Sequence, residues 1–288
     1  DFDEWAWMIW VLSELPSEQS AVYEHALVMG DAYLIAEWYT DPYTGASYPR
    51  LRFNSALNCY MVYDDDDISR PVCLLKRWQR RGRTANTPGP WRLNVYFPDH
   101  IERWIGAESE SSSSIQWKPL GIGPDPWQSL TGQGIGIPAV HIRNRPGASP
   151  YGRSELANVV PLQDAFNKTL VDLNMVLDQQ GWPQRYATGG SEPDGGWSSL
   201  PGVVWTLPAV EGQFGQFAAA NPIGILKALE TLYTIVATVS ATPQHRFHTP
   251  GDRFPSGEAL KTAEAPLIEK CTELSRHCGA AIVSAMRL

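Results

Sequence analysis

The sequence is short of positive charge: 23 Lys and Arg stand against 31 Asp and Glu, a formal charge of −8. Proteins that grip nucleic acid over their whole surface carry a net basic footprint, so that class is disfavoured, although a local basic patch is not. Cysteine is scarce too. Cys59, Cys73, Cys271 and Cys278 form no C-x-x-C pair and make no disulfide framework in a chain of 288 residues, so a reducing compartment is the simpler expectation. No run of about 18 apolar residues exists to span a bilayer; the nearest, residues 5–12, is far too short, and nothing reads as a secretory signal. Catalytic signatures are missing as well, with no G-x-x-x-x-G-K-[ST], no H-E-x-x-H and no G-x-S-x-G. An enzyme is unsupported, and no catalytic residue can be named.

What is present is ordinary globular composition, 43% hydrophobic and 19% charged, in a chain long enough to bury a large core. Its twelve Trp read as core or subunit contacts rather than base-stacking residues. Asp1 is not a natural start and the helical pattern runs to Leu288 with no Gly or Pro stop, so the expectation is an excerpt of a longer chain.

The pattern along the chain is α+β. Residues 17–29 suggest a short helix capped by Ser17 and stopped by Gly30. From 32 to 143 the signal is short β-branched and aromatic runs punctuated by turns, which predicts a mostly antiparallel β region. The segments 107–114 and 121–138 are too polar or too rich in Gly and Pro for regular elements. Beyond residue 154 the pattern becomes helical. Leu162, Phe166, Leu170, Leu173 and Leu177 recur every three or four residues, with Pro161 starting or kinking the helix and Gly181 ending it. A second helix over 222–240 puts Ile225, Leu229, Leu232, Ile235 and Val236 on one side, and residues 182–221 between the two hold strand-like pieces at "PQRYATG" and "GVVWTL". Three Pro and two Gly bar a helix from 242–257. A last helix follows Ser256, with Leu260, Ala263, Leu267, Cys271, Leu274, Cys278 and Ile282 in one stripe and a kink predicted at Pro266.

Each local motif has a plain reading. The Asp run 64–67 lacks the ligand spacing and fixed Gly of a calcium loop and reads as a solvated turn. His245 and His248 form H-x-x-H, but structural zinc sites carry close ligand pairs on both sides, so no metal site is expected. "GQGIGIP" leads into a strand, without the helix N-terminus that binds phosphate. "KRWQRRGR" places Lys76, Trp78 and Arg80 on one strand face; it reads as an exposed sheet face paired with acidic neighbours, with phosphate contact as the alternative.

The succession "HIRNRPGASPYGRSELANVVPLQDAFNKTLVDLNMVL", "GWPQRYATGG", "GQFGQFAAANPIGILKALETLYTIVATVSATPQHRF" and "PSGEALKTAEAPLIEK" resembles the portal proteins of tailed double-stranded DNA bacteriophages, especially long-tailed phages of Actinobacteria. The resemblance covers 138–285 well and the β region before it more loosely. It implies a portal fold: a partial, N-terminally truncated wing at 1–153, stem helices at 154–181 and 222–241, a small β-containing clip at 182–221, a tunnel loop at 242–257 and a kinked wing helix at 258–288 leading to an absent crown. It further implies a twelve-subunit ring at one capsid vertex, through whose channel double-stranded DNA is packaged, retained and ejected. The implied partners are the terminase large subunit, a head–tail adaptor and the major capsid or scaffold protein, with no cofactor, metal or membrane. The implied place is the virion, after assembly in the host cytoplasm. On this mapping Gln244, His245, Arg246, His248, Asp252 and Arg253 of the tunnel loop and Asn167, Lys168, Asp172 and Lys227 of the stem face DNA. Arg185, Tyr186, Trp197 and Trp205 fall in the clip, where partners dock. The competing classes are a metal-dependent hydrolase using the Asp run or the His pair, and a nucleic-acid-binding module centred on 76–83.

Overall fold

The computed structural model describes residues 2–82, 87–106, 115–121, 123, 125–126, 136–181, 185–189, 212–217, 221–247 and 257–288. The architecture is mixed α+β, divided into unit 1 (Asp1–Ala157 with Ile268–Leu288) and unit 2 (Asn158–Leu267).

Unit 1 begins with α1 (Phe2–Leu12) and α2 (Leu15–Met29). The sequence pattern does not announce α1, because its apolar residues are nearly continuous and Trp5 and Trp7 stay exposed. α2 starts ahead of the expected Ser17 cap. Glu14 precedes it in the left-handed conformation, Pro16 sits in the first turn where no N–H is needed, and the Ser17 hydroxyl donates back to the Glu14 carbonyl at 2.8 Å. Gly30, at φ 90, closes the helix as expected.

Among the described residues nine strands follow: β1 (Asp31–Thr40), β2 (Ser47–Ser55), β3 (Cys59–Tyr63), β4 (Pro71–Arg81), β5 (Pro88–Tyr96), β6 (His100–Gly106), β7 (Trp117–Pro119), β8 (Asp125–Pro126) and β9 (Ala139–Arg143). The first sheet has the order β2-β1-β9; the second runs β3 to β7 in sequence order, with β8 against β6. Every pairing is antiparallel, as the turn-punctuated pattern predicts. The two-residue β8 corrects the reading of 121–138 as loop throughout. Segment 107–114 lies outside the described residues.

β1 explains the layering. Its opening residues are buried on both faces. Ala32 and Leu34 pack with Leu15, Val22 and Ala26 of α2, Leu51, Ile142 and, from the chain's end, Cys278 and Ala285. Tyr33 and Ile35, on the alternate face, pack with Cys59, Met61, Leu74, Tyr96 and Ile101 of the second sheet. A strand that is apolar on both faces makes the first sheet the middle layer. Each fully buried Leu or Ile there contributes about 2 kcal/mol relative to an exposed one.

The junction of α2 and β1 needs two glycines. A Cβ on Gly152 would overlap the Gly30 carbonyl oxygen, and one on Gly30 would sit 3.0 Å from the Gly152 carbonyl. Asn144, buried beside them, donates its backbone N–H to the Gly30 oxygen at 2.8 Å and its side-chain amide to the Arg153 oxygen at 2.8 Å.

Unit 2 contains α3 (Val160–Gly181), β10 (Arg185–Thr188), β11 (Gln213–Gln216), α4 (Ile223–Val239), a 3₁₀ turn at Gln244–Arg246 and the first part of α5 (Gly257–Ala285), whose remainder belongs to unit 1. Pro161 sits in the first turn of α3, one of the two places expected for it. β10 falls within the predicted "PQRYATG", and β11 is a strand the pattern does not announce; "GVVWTL" lies outside the described residues. Pro266 is inside α5, which continues through it.

Two apolar stripes need correction. The half-buried residues of α3 are Leu162, Phe166, Thr169, Leu173 and Val176, so the stripe passes through Thr169 and Val176 while Leu170 and Leu177 are exposed. On α5 it passes through Glu264 and Lys270 in place of Ala263 and Cys271. Both polar side chains are ion-paired there, which removes the penalty that hides such positions from a hydrophobic pattern.

Candidate functional site

The candidate residues with a described environment lie in unit 2. α3 and α4 pack on each other through the Phe166 and Tyr233 rings, 4.7 Å apart between centroids. On α4 the inward residues are Ile225, Leu229, Leu232, Val236 and Ala237, whereas Ile235 is exposed, contrary to its expected place in the stripe. α3 has no buried residue at all. Val171 and Met175, each 57% exposed, stand outside it with Leu170 and Leu177, and Leu226, Ile235 and Val239 do the same on α4. Contiguous apolar surface left exposed on paired helices is the kind of surface that partners commonly cover.

The stem candidates share the exposed side of these helices. Asn167, Lys168, Asp172 and Lys227 are all exposed. Asn167 accepts a hydrogen bond from Gln163 at 2.9 Å, while Lys168 and Asp172, one turn apart, form no ion pair among the described residues.

After α4 the chain turns through Ala241, in the left-handed conformation at φ 54, and buried Pro243 into the 3₁₀ turn. His245 and Arg246 both reach Glu264 of α5, at 3.7 and 3.9 Å, while Gln244 and Arg246 are exposed. One carboxylate thus gathers two of the tunnel-loop candidates. His248, Asp252 and Arg253 lie outside the described residues.

Of the clip candidates, Arg185 and Tyr186 are on β10, opposite Gln216 and Gly215 of β11. The Tyr186 ring covers Gly215, where any Cβ would overlap it, and lies 5.0 Å from the Phe217 ring. Trp197 and Trp205 lie outside the described residues.

The other motifs resolve locally. Asp64 accepts the backbone N–H of Asp66 at 2.9 Å and pairs with Arg70 at 3.8 Å, which makes the Asp run a hairpin turn between β3 and β4. Among the described residues no three His, Cys, Asp or Glu are placed to hold a metal ion. In the basic strand, Lys76 and Trp78 share a face, with Nζ 5.6 Å from the ring centroid, and Arg77 lies over Trp91 at 5.4 Å. The cations meet aromatic rings, and Lys76 also lies within electrostatic reach of Glu37, an acidic neighbour of the kind expected. Burial pushes the Lys76 ammonium down from its usual range.

Sequence reasoning missed one polar line in unit 1. His141 is buried, with Nε2 2.7 Å from Asp31 Oδ1 and Nδ1 2.7 Å from the Tyr63 hydroxyl, and Asp31 also accepts the Gly152 N–H at 2.8 Å. Burial holds the Tyr63 phenol above its usual range, and the ring of Tyr33 stacks on His141 at 4.6 Å. The line is a satisfied buried network that ties β9 and β3 to β1. Its residues lie far apart in sequence, and nothing local marks them.

A family model described as "Phage portal protein, SPP1 Gp6-like" matches residues 3–288. The portal protein of Mycobacterium phage D29 is 26% identical over 304 residues, an alignment covering 99% of this chain and 58% of that protein. The portal protein of Mycobacterium phage L5 is 23% identical over 301 residues, again covering 99% and 58%. The chain therefore spans 58% of the length of these two relatives. With the family's pattern present from residue 3 to the last, the chain belongs to the SPP1 Gp6-like family of phage portal proteins.

Proposed function

We propose that this chain acts as a ring-forming portal subunit at one capsid vertex, lining a channel through which double-stranded DNA is packaged, retained and ejected. Portal proteins are structural components of the phage particle and not enzymes, which accords with a sequence devoid of catalytic motifs. The observation that carries the ring is the apolar surface left outside the α3–α4 pair, with Val171 and Met175 each 57% exposed. Sister copies, twelve to the ring, cover it. α3 and α4 act as the stem, β10 and β11 as part of the clip where the terminase large subunit and later a head–tail adaptor dock, and 242–257 as the tunnel loop. Unit 1 serves as the wing, next to the major capsid or scaffold protein.

Residue choice supports a conduit. Duplex DNA carries one charge per roughly 1.7 Å of axis, so a lumen dense in Lys and Arg holds it tightly. α3 instead exposes Asn167 and Asp172 with a single Lys168, and α4 exposes Lys227. Contacts of this kind are weak and independent of sequence, compatible with sliding. The few cations near the bore belong to the tunnel loop, where Arg246 is tethered to Glu264. Charge reversal of Arg246 and Arg253 in assembled heads tests the assignment: packaging or DNA retention falls if the loop meets DNA, and unchanged packaging and retention would remove that role.

A further inference from the structure

The second sheet of unit 1 has a core end and a basic end. At the core end Leu74, Tyr96 and Ile101 stand side by side across β4, β5 and β6, all buried. Two residues along the same face the row reads Lys76, Asn94, Arg103, and the next reads Trp78, Arg92, Ile105, Lys118. Arg80 follows on β4. Arg80, Arg103 and Lys118 are exposed, and stretches 74–81, 88–96, 103–106 and 117–119 contain no Asp or Glu, while Glu37 of the first sheet lies within electrostatic reach of Lys76. In a chain of formal charge −8 this is a concentrated departure from the average. Arg92 adds a second sign: its Nη1 is buried and has no hydrogen-bond partner among the described residues, a rare condition for a guanidinium nitrogen.

Strands about 4.8 Å apart and side chains about 7 Å apart along a strand put neighbouring cations of this array about 8–10 Å apart, close to one Debye length at physiological salt, with those on its outer strands farther apart. They repel one another, and a polyanion relieves that repulsion. The array is spread over four strands, with the exposed Arg80 fork matched to phosphate oxygens and Trp78 beside it on the same strand. A rigid partner of even charge density engages all of it at once, whereas a short acidic segment reaches only part. We propose that the basic end of this sheet binds the phosphate backbone of duplex nucleic acid without reading its sequence. All its residues belong to unit 1, so the contact is independent of the stem and tunnel-loop assignments in unit 2.

The test is fluorescence anisotropy of the whole chain with a labelled 20-base-pair duplex of arbitrary sequence, titrated at 50 to 200 mM salt. Binding in the range of roughly 1–100 μM is expected, with a slope of log affinity against log salt of about −3 to −4 for four phosphate contacts. Arg80→Glu with Lys118→Glu lowers affinity at least tenfold and flattens the slope by about two. Should that pair lower the thermal midpoint, Arg80→Gln with Lys118→Gln carries the same comparison with a smaller drop. The proposal is overturned if no binding is seen at 50 mM salt or if the variants bind like the parent chain. It is equally overturned if polyglutamate of matched charge competes as well as unlabelled duplex, which would make the surface a site for an acidic protein.

Discussion

Glu155 Oε2 lies 2.6 Å from Lys270 Nζ, and both side chains are largely buried. Glu155 shortly precedes residues 158–267 in sequence and Lys270 shortly follows them, so one ion pair inside unit 1 ties together the two stretches of chain that flank unit 2. The same carboxylate accepts a hydrogen bond from Asn144 at 3.0 Å and lies 3.4 Å from Arg145, which also reaches Glu273 at 3.4 Å.

The pair predicts an acid response. Burial alone would raise the Glu155 carboxyl, but the bonds from Lys270 and Asn144 outweigh it and hold the group below its usual value. Its contribution to stability is therefore complete above the ordinary carboxylate range and is lost as pH falls through the lowered value. Lys270→Ala removes the nearest cation and leaves the carboxylate with only Arg145 and Asn144, at a cost of about 2 kcal/mol at pH 7. Thermal melts of parent and variant at pH 7 and pH 3 check this: the difference is large at pH 7 and shrinks in acid.

Gly152→Ala predicts a different kind of loss. Its methyl would meet the Gly30 carbonyl and come within 2.7 Å of the Asn144 nitrogen, all backbone atoms that no rotamer change can clear. The expected cost is more than about 2 kcal/mol, a drop of several degrees in thermal midpoint for a domain of this size. An alanine at Gly147, where a Cβ meets nothing within 4 Å, is the control and leaves the midpoint within about a degree.

The four thiols should separate by reactivity. Burial pushes the Cys59 thiol up to about 12 and raises those of Cys73 and Cys278, whereas Cys271 is exposed. At pH 8 a chromogenic disulfide reagent titrates Cys271 alone in the folded chain and all four thiols in guanidinium. Loss of the fast-reacting thiol in Cys271→Ser confirms the assignment.

These residues also show what a sequence displays and what it hides. The antiparallel β region over 32–143 was legible because turn residues separate short runs of β-branched and aromatic side chains, although the runs that form β2 and β7 did not stand out, and α3 and α4 were legible because their apolar spacing is helical. The face on which each helix packs was less so. Leu170 and Ile235 look like core residues in a period of three or four, yet they are exposed, because one helical period carries more apolar residues than the packing within the chain uses. Lys270 and Glu264 had the opposite fate, half-buried because a partner distant in sequence neutralises each. The Asp31–His141–Tyr63 line was invisible for the same reason, since contact between residues so far apart is set by sheet registry and leaves no local trace. Among the candidate site residues, Gln244, His245 and Arg246 were singled out through the resemblance alone. Only the structure adds that Glu264 gathers His245 and Arg246.

The central claim is that the apolar surface outside α3 and α4 seats sister copies around a lumen. Sedimentation of the purified chain over a wide concentration range, with negative-stain images of the largest species, tests it most directly. The account predicts closed annuli of twelve-fold symmetry, abolished by Val171→Asp with Met175→Asp while the thermal midpoint is kept. A single-chain mass at every concentration, or annuli that survive both substitutions, would contradict it.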